Sequence, residues 1–223
     1  AMEYYREKVG LIGLDFAPMA PHLNTDDREL GKELMDIKSG TERIVRGLIM
    51  TSLRQTFEDL TAAVEGADAL VTGEIVYAAK SVVEINGLKW ISTSLQPGSF
   101  LSAHDPFVPP MFTWFERFRP LGPIFHRTLF YVMRLTIRDW YEPYKEFRRE
   151  LGLDPDHDPI FGGKFSSDLN LALFSRVLGA PQPDWTANTV QTGFCFYDGR
   201  EHDGKMPGAL SDFLATGEPP IVF

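Results

Sequence analysis

A carboxylate placed directly after a buried strand is the first candidate for chemistry in this chain. Glu74 follows Leu70, Val71, Thr72 and Gly73, a short apolar run that suits a buried strand. It therefore stands at a strand's C-terminal end, where open α/β sheets hold their ligands. A carboxylate there can fix the tautomer of a basic partner and stabilise its charged form. It can equally cap the helix that follows, because first turns favour acids. Ser94 and Gln96 follow a second strand around Trp90 and belong to the same expected edge, with turn hydrogen bonding as the other role for them. Among the five histidines (His22, His104, His126, His157 and His202), His104 beside Asp105 in a Pro-rich segment is best placed to touch a bound molecule; the alternative is a solvated loop pair. No histidine has a partner at i, i+4, and the single Cys195 offers no ligand spacing, so no metal site is expected. Neither G-x-G-x-x-G nor G-x-x-x-x-G-K-[ST] occurs, so no cofactor site is expected on these residues.

The elements that must position these groups are read from periodicity. Residues 3–8 read as a helix tail. Gly10 and Gly13 then lead through 14–18 into a short strand, and 24–40 is a polar loop with a helix in it. Over 41–65, Ile44, Val45, Leu48, Ile49, Leu53, Phe57, Leu60 and Val64 recur at helical spacing; Thr41 is placed as N-cap and Gly66 as C-cap. Strand 69–72, helix 75–86 ending at Gly87 and strand 88–92 make a βαβ unit, hence an α/β fold with a Rossmann-like parallel sheet flanked by helices. Residues 97–123, with six prolines, read as a long functional or covering loop. A helix over 124–151 is expected to kink at Pro143; strands follow at 169–174 and 190–194, and a short helix at 207–215. Residues 217–220 read as a linker, and 221–223 as the opening of another strand.

Bulk properties narrow the classes. The 223 residues are 43% hydrophobic and 24% charged, enough apolar mass for one large domain. A formal charge of −9 argues against binding nucleic acid, which needs a basic face. The lone thiol fits a reducing, cytoplasmic location, and no apolar run approaches the roughly 20 residues needed to cross a bilayer.

Several stretches, in order along nearly the whole chain, resemble the N-terminal half of bacterial glycosyltransferases of the sterol- and macrolide-glucosyltransferase kind, within the UDP-glycosyltransferase superfamily. They are EYYREKV at 3–9, SLQPGSF at 94–100, DPIFGGKFS at 158–166, ALFS at 172–175, PQPDW at 181–185, TGF at 192–194 and a linker-like 213–223. The resemblance implies a GT-B architecture of two Rossmann-like domains around a cleft. Residues 1–216 would be the acceptor-binding domain without its first strand, Gly-rich loop and catalytic histidine. Residues 217–223 would be the interdomain linker and the start of a donor domain that binds the nucleotide sugar, a UDP-hexose. It further implies an inverting transfer to a lipophilic acceptor, with the acid of a His–carboxylate dyad falling at Gly73 or Glu74. Glu74 is thus the expected catalytic residue, and Ser94, Gln96, Phe100, His104 and Asp105 the expected acceptor contacts. Without that first strand the sheet should look like a parallel sheet lacking a middle piece.

The stretch 114–150 carries charge +3 against −12 elsewhere and interleaves ten aromatic rings with arginines. It reads as core aromatics under solvated arginines, as the lining of an acceptor pocket, or as a peripheral membrane contact. Two other functions compete with the one implied above: a freestanding Rossmann-like binding module without catalysis, and a transferase acting on a lipid-linked cell-wall precursor.

Overall fold

A computed structural model describes residues 1–23, 27–108, 110–196 and 206–219, with side chains of 110–112 left aside. In chain order the helices and strands are α1 (Arg6–Leu11), α2 (Arg28–Leu34), α3 (Gly40–Glu42), α4 (Leu53–Ala63), β1 (Ala69–Gly73), α5 (Ala79–Asn86), β2 (Lys89–Ser94), α6 (Gly122–Thr136), α7 (Glu142–Glu150), β3 (Leu169–Ala172), β4 (Thr189–Gln191) and α8 (Gly208–Ala215). The four strands form one parallel sheet in the order β1-β2-β3-β4, with Leu70 opposite Trp90, Ser92 opposite Asn170 and Leu171 opposite Val190. This is the expected α/β class with flanking helices.

The core lies on one face of that sheet. Leu70 and Trp90 point into a cluster with Val45, Ile49, Leu53, Leu60, Val82, Tyr144 and Phe147, supplied by the segments on either side of β1 and by α7. In α5 the spacing Ala79, Val82, Val83 turns one side to the core, and Gly87, with φ +65°, closes the helix in a conformation that a Cβ disfavours. The opposite face carries Val71, Ile91, Thr93, Leu171 and Val190; Val71 is 59% exposed and Val190 50%. The outer edge of β1 pairs with no strand among the described residues.

Buried polar groups lock the strands in register. Asn170, 1% exposed, accepts through Oδ1 from Ser92 Oγ on β2 and from Ser166 N (2.8 Å). Its amide hydrogens go to Ser166 O (3.0 Å), Thr186 Oγ1 (3.1 Å) and Asn188 Oδ1 (2.8 Å), ahead of β4. Trp90 Nε1 donates to Thr72 Oγ1 (2.9 Å), tying β2 to β1.

Four expectations change. The 41–65 helix is divided: α3 is followed by a π-helical stretch Arg43–Ile49, and α4 starts only at Leu53. Thr51 Oγ1 and Ser52 Oγ bond back to the Gly47 and Leu48 carbonyls, offering the backbone there an alternative to the helical ladder; Thr41 lies inside α3 and is not a cap. No strand forms over 14–18, where Leu14 is exposed and no neighbouring strand takes up the backbone groups. The 97–123 segment is largely helical, with 3-10 helix at Pro97–Phe100 and Pro110–Leu121. Pro143 does not kink a long helix: the helix ends at Thr136, and Pro143 occupies the first turn of α7, where its missing N–H costs nothing. The strand expected at 221–223 lies outside the described residues, as does His202.

Arg148 is the main cross-link between α7 and α5. Fully buried, it reaches Glu84 Oε2 (2.6 Å), Ser81 Oγ (3.2 Å) and the Asp154 carbonyl (2.6 Å). Arg148→Met should cost about 3 kcal/mol, the low end for a broken buried pair because Glu84 keeps a third of its surface in water. Urea unfolding checks this as a lowered midpoint at constant slope; a loss below about 1 kcal/mol would mean that Arg148 anchors little.

Candidate functional site

The C-terminal ends of β1 and β2 bring together groups far apart in sequence. Glu74 directly follows β1 at Gly73. Its Oε1 accepts from Ser99 Oγ (2.7 Å), in the 3-10 turn after β2, and its Oε2 pairs with Lys164 Nζ (3.2 Å). Both ends of the ion pair are largely enclosed, with 11% of the Lys164 and 21% of the Glu74 side chain exposed. The N-cap of α5 is Ala78, with no side-chain cap, so Glu74 does not cap that helix. Each carboxylate oxygen retains a second lone pair for another donor.

Lys164 arrives there because of the loop at 158–166. Asp158, buried, accepts from Ile160 N (2.9 Å) and Phe161 N (3.1 Å), folding the chain back, while Arg134 Nε holds its other oxygen at 2.5 Å. Gly163 N closes on the Asp158 carbonyl at 2.7 Å. Glu74, Gln96, Ser99, Tyr77 and Lys164 then line a cavity of about 290 Å³. Burial first, then the Glu74 and Asp158 charges, push the Tyr77 hydroxyl above its ordinary range, so it stays protonated.

A second cavity, about 400 Å³ and almost wholly apolar, lies on the other side of a shared wall. Leu101 and Phe107 belong to both linings; the second is also lined by Trp114, Phe115, Arg119, His126, Leu129, Phe130 and Met133, among others. His126, Leu129, Phe130 and Met133 fall at i, i+3, i+4 and i+7 of α6, one helix face. The wall is positioned by two devices. Gly98 lets the Phe107 ring approach the backbone, since a Cβ there would meet Phe107 Cδ2 at 3.3 Å. Asp184, from the connection between β3 and β4, takes Ser102 Oγ (2.5 Å) and Ala103 N (2.7 Å). Another cavity, about 500 Å³, lies at the opposite end of the strands around Lys80, Glu84, Lys89 and Asp168. It is the larger, but its charges are mixed and it lies away from the edge where parallel sheets place ligands.

Of the expected site residues, Glu74 and Gln96 meet in one cavity. Ser94 is buried at the end of β2, its carbonyl accepting from Leu173 N (2.8 Å). Phe100 is buried in a second core cluster, stacked on Trp185 at 4.2 Å and Phe165 at 5.0 Å. His104 and Asp105 are exposed, and Asp105 pairs with Arg119 at 2.9 Å. Neither of them lines the two cavities. Sequence reasoning missed Ser99, Tyr77, Lys164 and His126. Ser99 and Lys164 carried a signal, as parts of the 94–100 and 158–166 motifs; Tyr77 and His126 become visible through contacts across the fold. Among the described residues no cluster of three His, Cys, Asp or Glu side chains could hold a metal ion, and no helix is long and apolar enough to cross a membrane.

The stretch 114–150 divides. Tyr141, Tyr144 and Phe147 are core, Trp114, Phe115 and Phe130 line the apolar cavity, and Ile124, Tyr131 and Leu135 point outward, Ile124 81% exposed.

Burial pushes the Asp184 carboxyl up, but the bonds from Ser102 and Ala103 outweigh it and hold the group below its ordinary value. A depressed folded value stabilises the fold above the unfolded value and loses that contribution as pH falls through the folded one. The stability gap between wild type and Asp184→Asn should therefore be constant from about pH 5 to 8 and close below about pH 4. Urea midpoints of both chains across that range check it; a gap that widens toward acid would contradict the role given to Asp184.

No family model matches this chain, and no curated protein does. Solved structures do. The glycotransferase of kitacinnamycin superposes with a TM-score of 0.56 at 17% identity, over 93% of this chain and 46% of that one. The glycosyltransferase SsfS6 of Streptomyces sp. SF2575 matches with a TM-score of 0.48 at 17% identity, over 96% of this chain and 54% of its own. The chain spans about half the length of these solved chains, and at such identity the likeness carries the fold alone. The four-stranded parallel sheet with its flanking helices is thus the fold of one half of a GT-B glycosyltransferase.

Proposed function

We propose that this chain is the acceptor-holding part of an inverting glycosyltransferase that moves a sugar from a nucleotide sugar, a UDP-hexose, to a hydroxyl of a lipophilic small molecule. Residues 1–216 form the acceptor domain, and 217–223 lead toward a donor-binding half that holds most of the nucleotide sugar. The observation that carries this reading is one juxtaposition: Glu74, at the C-terminal end of β1, faces a cavity whose Leu101 and Phe107 wall is shared with a larger apolar cavity. The apolar cavity takes the body of the acceptor, and its reacting hydroxyl reaches toward Glu74.

In the transfer, a base removes the hydroxyl proton as the oxygen attacks the anomeric carbon. The bond to the nucleoside diphosphate breaks, and the configuration at that carbon inverts. Glu74 orients that base, a histidine contributed by the rest of the protein, and offsets the charge it gains. Lys164 and Ser99 keep the carboxylate in place. Gln96 contacts the acceptor beside Glu74, Asp105 fixes Arg119 at the rim of the apolar cavity, and Ser94 and Phe100 back the site from the core; His104, outside both linings, takes no part in holding the acceptor.

Glu74→Gln and Lys164→Met separate orientation from scaffolding, because both break the same ion pair but only the first removes the carboxylate. In the enzyme carrying its donor-binding half, Glu74→Gln should lower kcat about tenfold or more with little change in KM. Lys164→Met should lower stability by about 1–3 kcal/mol with a smaller loss of kcat. Equal losses of kcat in two equally destabilised variants would end the catalytic role of Glu74.

A second reading concerns location. The outward row Ile124, Tyr131 and Leu135 on α6, flanked by exposed Arg127 and Arg138, supports a peripheral contact with an anionic membrane surface. Co-sedimentation with phosphatidylserine-containing vesicles should be lost in Ile124→Glu/Tyr131→Glu and weaken with salt; equal sedimentation of both chains removes this reading.

A further inference from the structure

The lining of the apolar cavity contains one polar side chain that is both buried and incompletely used. His126, 4% exposed, makes a single hydrogen bond, between Nδ1 and the Ala103 carbonyl at 3.2 Å. A carbonyl only accepts, so the shared proton belongs to Nδ1, and in the neutral ring Nε2 keeps its in-plane lone pair. The Phe125 ring meets the imidazole edge to face at 5.6 Å and supplies no donor. The other polar groups of the lining that hold hydrogen bonds are engaged elsewhere: Arg119 with Glu116 and Asp105, Thr136 with the Met133 carbonyl. Nε2 has no protein partner among the described residues and is not sealed from solvent, so it is open to a donor carried by a molecule that fills the cavity.

We propose that His126 Nε2 accepts a hydrogen bond from the molecule held in the apolar cavity, and so selects an apolar body that carries a hydroxyl or N–H where it meets α6. This rests on the reading of that cavity as the acceptor's place. His126 is absent from the lining around Glu74, so the group it holds is an anchor and not the hydroxyl that reacts. The acceptor class is therefore a lipophile with at least two donor groups, one anchored at α6 and one presented beyond the Leu101 and Phe107 wall.

Binding of 2-naphthol and 2-methylnaphthalene to the 223-residue chain, measured by calorimetry at pH 7.5, tests this. The two probes match in shape and differ in one donor. Wild type should bind 2-naphthol about five- to tenfold more tightly, the worth of one net hydrogen bond. His126→Asn keeps an amide N–H where Nδ1 donates to Ala103 but has nothing at Nε2; it should bind both probes with the affinity that wild type shows for 2-methylnaphthalene. His126→Gln places an amide oxygen near Nε2 and gives up the Ala103 bond, so it should keep the preference while melting at a lower temperature. Should His126→Asn fail to fold, the preference in His126→Gln decides. Retained preference in His126→Asn, its loss in folded His126→Gln, or equal binding of both probes to wild type overturns the role of His126 while leaving the cavity's role standing. Absence of binding by either probe overturns both.

Discussion

A buried amide fixes the sheet on which everything else is mounted. Asn170 sits where water cannot reach, and its side chain has to find partners within the protein or leave polar groups stranded at a cost of several kcal/mol. It finds them on β2, in the turn before β3 and in the turn before β4. Hydrophobic packing penalises a one-residue slip, which turns the core-facing residues outward, but not a two-residue slip, which keeps the same face inward. A slip of either length in any of these three strands would break the Asn170 set at once. Strand register is thereby a polar constraint, and it sets the strand C-terminal ends level with one another.

Level strand ends explain why residues so far apart meet. Glu74 leaves β1 and Ser99 lies just past β2, one turn beyond neighbouring strands. Lys164 comes from a loop that must end at Ser166, which is itself tied to Asn170 and to the Trp90 carbonyl (2.5 Å). The same network that sets register thus also decides where Lys164 can reach. Asp184 extends this logic to the wall between the cavities: it projects from the connection that follows β3 and clasps Ser102 and Ala103 after β2.

The strands were legible because each is a short apolar run closed by Gly, Pro or polar residues, and the βαβ rhythm demanded parallel pairing. Helix periodicity was legible as well, yet it carried no mark of the break at 50–52, where hydroxyls of two ordinary-looking residues turn back on the chain. Pro143 was visible as a breaker, but which side of the break it served depends on Thr136 being the last helical residue before it. The place of Glu74 at a strand's C-terminal end was legible from position alone. The pairing of Glu74 with Ser99 and Lys164 was not, because they lie 25 and 90 residues away and their motifs do not say which side chains meet. Phe100 has the residue type of a ligand contact, and only the rings of Trp185 and Phe165 reveal it as core. His126 was one histidine among five until α6 turned it toward an apolar space.

Leu101 and the half-exposed Phe107 form a shared partition between two open cavities, and Leu101 holds φ +46°, a conformation that costs an L-residue about 1–2 kcal/mol. A partition has only one position at a time. Whatever displaces it to enlarge the apolar chamber takes the same space from the chamber of Glu74, so the bulk of the guest on one side and the clearance around the carboxylate on the other are a single variable. If the proposed acceptor role holds, its size and its reactive geometry are therefore coupled: a substitution that admits a wider molecule also moves the place where its hydroxyl would stand.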